Sequence, residues 1–77
     1  MHEISKYQLS IKANDKLGIL ERILRVIRHR GGHVENMQMQ ITTNQILSLT
    51  IELTTERSIS TLQNQLTKLF DVISVEV

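Results

Sequence analysis

NDKLGILERILRVIRHRGGHV, running from Asn14 to Val34, decides the fold. In order it holds a polar turn, a two-faced helix, a double glycine and the first residues of a strand. A helix from about Leu17 to Arg30, turned by roughly 100° per residue, gathers Leu17, Ile19, Leu20, Ile23, Leu24, Val26 and Ile27 into one half of the wheel. Glu21, Arg22, Arg25, Arg28 and His29 take the other half. So wide an apolar stripe is built to lie on a sheet, and such a helix draws most of its stability from that packing. The segments before and after it must supply the surface.

They do so by alternation. From Lys6 to Ala13, Tyr7, Leu9, Ile11 and Ala13 share one face, with Lys6, Gln8, Ser10 and Lys12 on the other, the pattern of a strand buried on one side. Asn14 and Asp15 are turn formers and candidate helix caps, and Gly18 falls just inside the helix start. Gly31–Gly32 stop the helix, where Arg28, His29 and Arg30 suit its negative end. A second strand spans about His33 to Thr42, with Met37, Met39 and Ile41 inward and Val34 out of phase, which predicts a bulge near Glu35. Thr43-Asn44-Gln45 reads as a hairpin connection. A third strand places Leu47, Leu49, Ile51 and Leu53 inward, and Thr54 to Ser58 is polar loop. Ser58 or Ser60 caps a second helix with the stripe Ile59, Leu62, Leu66, Leu69 and Phe70. Asp71 breaks that pattern, and Ile73, Val75 and Val77 alternate as a last strand.

The order βαββαβ is the ferredoxin-like arrangement of α+β class, a four-stranded antiparallel sheet with both helices on one face. One small domain, residues 1–77, is expected. With no cysteine, one Tyr and one Phe, its core must be aliphatic, and association with another chain is expected to supply part of the stability. Nine basic and eight acidic residues leave a net charge of +1, which gives no general reason to bind nucleic acid or an anionic membrane. The open sheet face offers no aromatic on which a base could stack. No apolar run approaches the ~20 residues of a membrane span and no signal-peptide core is present, so a cytoplasmic location is expected.

Catalytic chemistry needs a nucleophile, an acid–base pair or a metal, and the residues offer no convincing set. Asp15 and Asp71 sit at element junctions, where capping accounts for them. His29 and His33 stand four apart, a ligand spacing only on one continuous helix, and Gly31–Gly32 divide them. His2 is expected in a frayed terminus. What remains is Gly18 at a helix N-terminus, expected to face the loop Gly31-Gly32-His33. Free backbone amides there can hold a carboxylate, which makes an amino-acid effector reasonable; equally, Gly18 can simply permit close packing against another chain.

At these residues the sequence resembles an ACT domain, the small amino-acid-sensing module, through Asn14-Asp15-Lys16-Leu17-Gly18-Ile19-Leu20 and Arg30-Gly31-Gly32-His33-Val34-Glu35. Two longer runs, LERILRVIRHRGGHV (Leu20 to Val34) and NQLTKLFDVISVEV (Asn64 to Val77), are similar to the regulatory small subunits of acetolactate synthase, nearest to the short isozyme II type. The resemblance implies a chain with no chemistry or cofactor of its own. Its large subunit partner would carry thiamine diphosphate, Mg2+ and FAD and make the first common intermediate of valine, leucine and isoleucine. The small subunit would bind and activate it. The resemblance also implies a homodimer through the second strand, and an effector site at Asp15, Leu17, Gly18, Ile19, His33 and Val34. Valine-sensing members generally carry Asn where this sequence has His33, and bacterial ones continue into a second domain where this sequence stops at Val77. Feedback by valine is therefore expected to be weak or absent. A free-standing homodimer sensing an amino acid is the other expectation that stays open, with neither nucleic acid nor membrane as a partner.

Overall fold

The computed structural model describes residues 3–77, and His2 lies outside them. Six elements follow one another: β1 (Ser5–Asn14), α1 (Ile19–His29), β2 (His33–Ile41), β3 (Ile46–Thr55), α2 (Ile59–Thr67) and β4 (Val72–Glu76). The strands form one antiparallel sheet in the order β2-β3-β1-β4, so the two earliest strands in the chain do not touch and β3 lies between them. Both helices cover one face, and the other stays open to water.

Period-two alternation in β1 and β3 builds the floor of the core. Leu9, Ile11 and Ala13 alternate inward on β1, and Leu47, Leu49, Ile51 and Leu53 on β3, all essentially without exposed surface. Ile19, Ile23 and Ile27 recur every fourth residue on α1, and Leu62 and Leu66 do so on α2, closing the core from above. Side chains four apart on a helix stack on one face, which is why a single isoleucine row suffices. No described helix is long and apolar enough to cross a membrane.

Helix α1 ends as its glycines require. Gly31 takes φ +85°, its N–H donates to the Arg28 carbonyl at 3.1 Å, and the Gly32 N–H donates to the Ile27 carbonyl at 2.8 Å. That pair of bonds is a Schellman stop. The start of α1 departs from expectation. Leu17 and Gly18 form a turn, the helix begins at Ile19, and Leu17 is fully exposed instead of joining the apolar stripe. Neither Asn14 nor Asp15 caps it: Asn14 closes β1 and donates its N–H to the Asp71 carbonyl, while the Asp15 N–H donates to the Gln45 carbonyl. The cap position belongs to Gly18, at φ 82°, with no side-chain bond.

Other departures share one cause, that periodicity assigns a face but not what covers it. β3 continues through Thr54 and Thr55, where a loop was expected. Helix α2 stops at Thr67, and the tight turn that follows leaves Phe70 92% exposed. On β2, Val34 and Met37 pack against the core, but Met39 and Ile41, opposite the buried Leu49 and Leu47, are 51% and 52% exposed because this end of the edge strand is left uncovered. On β4 only Val75 is buried. The register slips between its contacts with Lys12 and Ala13, making Ile73 an extra, exposed residue, and Val77 lies beyond the strand. The expected bulge in β2 is present, between Val34 and Asn36.

Candidate functional site

At the end of the sheet where β1 finishes, three connections converge: residues 15–18, 42–45 and 68–71. Main-chain bonds tie the first to the other two, Asp15 N–H to the Gln45 carbonyl at 2.9 Å and Asn14 N–H to the Asp71 carbonyl at 2.8 Å. A side chain reinforces this. Arg22, on the first turn of α1, extends Nε to within 3.4 Å of the Gly18 carbonyl and donates from its terminal nitrogen to the Asp71 carboxylate at 3.4 Å. Asp71 is only 8% exposed, so solvent and salt screen this pair less than one in open water, and removing Arg22 would leave a nearly buried carboxylate without its cation. The loop carrying Gly18 is thus fastened from two sides.

Between this loop and the edge of β2 lies a concavity of about 380 Å³, lined by Asp15, Lys16, Leu17, Gly18, Ile19, Leu20, Glu21, Met39, Ile41 and Leu47. Its walls are apolar along Leu20, Met39, Ile41 and Leu47. Its rim holds the uncapped N-terminus of α1, whose amides and dipole favour a carboxylate. Four of the six expected effector residues, Asp15, Leu17, Gly18 and Ile19, therefore line one hollow. Met39 and Ile41 belong to it too. Their inward parity was readable in the sequence, but their exposure follows from the edge position of β2.

His33 and Val34 are elsewhere. They open β2, and nine residues of strand put His33 roughly 26 Å from Ile41 at about 3.3 Å per residue. His33 lines a second concavity of about 300 Å³ with Ile4, Gly31, Thr54, Thr55, Glu56 and Arg57. Val34 is half-buried opposite Leu53. Gly18 consequently does not face Gly31-Gly32-His33 within one chain, because α1 separates them along its whole length. His29 and His33 lie on different elements across the Gly31 turn, and among the described residues no three His, Asp or Glu side chains gather to hold a metal.

The chain is similar to known proteins over nearly its whole length. The family model described as ACT domain matches residues 15–75. The acetolactate synthase isozyme 2 small subunit of Escherichia coli is 37% identical over 73 residues, covering 94% of this chain and 84% of that protein. Among solved structures, the ACT domain from GTP pyrophosphokinase of Chlorobium tepidum superposes with a TM-score of 0.81 at 20% identity, covering 96% of this chain and 97% of that one. The acetolactate synthase small subunit from Thermotoga maritima gives 0.78 at 18% identity, covering 94% of this chain and 46% of that one.

Proposed function

The chain belongs to the ACT-domain family, among the small subunits of acetolactate synthase, and from that premise we propose that it is a non-catalytic subunit that binds and activates the large catalytic subunit. The observation that carries this reading is the 37% identity, spread over 94% of the chain and 84% of the isozyme 2 small subunit. On this reading the thiamine diphosphate, Mg2+ and FAD reside in the large subunit, and the regulated product feeds the branched-chain amino acids. Mixing the purified chain with its large subunit is expected to raise acetolactate formation; unchanged activity together with no binding overturns the proposal.

Two copies joined along β2 complete the reading. The outer edge of β2 faces no strand among the described residues, and a bare edge of this length invites pairing. Antiparallel pairing of two β2 edges would set His33 and Val34 of the partner subunit beside the hollow at Gly18, uniting across the seam the residues that a single chain keeps apart. An imidazole at His33 provides one donor or acceptor per nitrogen, where a side-chain amide would offer both on one group. This supports weak or absent valine feedback. Calorimetric titration with valine, leucine and isoleucine tests it: little heat is expected, with His33→Asn increasing valine binding. Tight binding by the unaltered chain without any large subunit would favour a free-standing sensor instead.

A further inference from the structure

Charge on this molecule is segregated. Its net value is +1, yet the twelve residues from Ile19 to Arg30 hold Arg22, Arg25, Arg28 and Arg30 against one acid, Glu21. Arg22 is engaged by Asp71; among the described residues no ion pair includes the other three. On the open sheet face Lys6 is already shared between Glu35 at 3.5 Å and Glu52 at 3.9 Å, and the rest is mostly Ser, Thr, Asn and Gln. Of the two faces available to a partner, the sheet face holds one cation unpaired among the described residues, Lys12, whereas the helical one holds three arginines close together.

Two of those arginines, Arg25 and Arg30, border a hollow. Between α1 and α2 runs a groove of about 320 Å³ lined by Arg25, Val26, His29, Arg30 and Gln65. Val26 gives it an apolar floor, and the Gln65 amide brings a donor and an acceptor from α2. Leu20 occupies the opposite flank of α1, against Met39 and Ile41, so a second copy seated on β2 would leave this groove open.

We propose that the α1–α2 groove is the seat of an acidic segment of the large subunit, held by carboxylates on Arg25 and Arg30. This rests on the small-subunit reading above. Planar guanidinium groups suit carboxylates in two-point contact, and an arginine ridge of this kind accelerates and orients docking as well as strengthening it.

The test measures binding of the full chain to the purified large subunit by sedimentation velocity, from about 50 to about 300 mM NaCl. The Arg25→Glu/Arg30→Glu double variant is expected to weaken binding about tenfold or more and to lose most of the salt dependence. Arg25→Lys/Arg30→Lys should retain part of the affinity, and Lys12→Glu on the sheet face all of it, with thermal melts confirming that each variant is folded. Unchanged binding by the double variant, or a loss confined to Lys12→Glu, overturns the groove while leaving the small-subunit reading intact. Failure of the unaltered chain to bind or activate overturns both, and so would preference for a single-stranded RNA oligomer over the large subunit.

Discussion

At Gly18 an added Cβ would meet nothing within 4 Å, but φ of +82° strains any L side chain; at Gly32 the Cβ would fall 2.7 Å from Ile27 Cγ2 and 3.1 Å from its carbonyl oxygen. The two positions therefore fail differently. Gly18→Ala is expected to cost about 1 kcal/mol through backbone strain alone. Gly32→Ala should cost about 2 kcal/mol or more, because the main chain of α1 cannot retreat. Urea unfolding of both variants checks the order, and equal losses would refute it. Arg22→Ala is a third case. It strips the nearly buried Asp71 carboxylate of its cation and should cost about 1–2 kcal/mol, with Asp71→Asn, which keeps a hydrogen-bonding group at that place, losing less. None of this was readable from the sequence: the glycines marked turns, but the Arg22–Asp71 pair joins residues 49 apart.

Among the elements, α2 shows where sequence reasoning succeeds and where it stops. Leu62 and Leu66 sit four apart and are buried, as their spacing implies. The same step continued from Leu66 reaches Phe70, but α2 has ended by then, with the Leu69 N–H turning back to the Leu66 carbonyl at 3.1 Å. A wheel extrapolates indefinitely, whereas a helix ends where its successor must enter the sheet. Leu66→Ala is accordingly expected to lose about 3 kcal/mol, and Phe70→Ala less than about 0.5 kcal/mol, by thermal or chemical unfolding. A large loss at Phe70 would mean that its ring is covered by another copy. Leu17 is the same error at the other helix, where the turn around Gly18 postpones the first helical residue to Ile19.

For the whole molecule, element order and the inward parity of β1, β2 and β3 were legible because both follow from local periodicity; β4 escaped that reading, because a register slip turns Ile73 outward. Which strand would be left uncovered was not, since it depends on where the helices come to rest. The division of the candidate site was hidden for a related reason: Gly18 and His33 belong to the two pieces of one sequence pattern, yet α1 and the length of β2 hold them at opposite ends. If two copies pair along β2 as proposed, the melting temperature of the unaltered chain rises with protein concentration, and Met39→Lys/Ile41→Lys, on side chains already half exposed, should leave the monomer folded and remove that rise. Persistence of the dimer would exclude the β2 seam. A last consequence belongs to β4, which meets β1 only from Ser10 to Ala13 and sends one side chain, Val75, fully into the interior. With so short a ladder, this strand is the part that detaches first. Its amides should take up deuterium well ahead of those in β3, and the molecule should begin to come apart at its carboxyl end while the isoleucine row of α1 still holds.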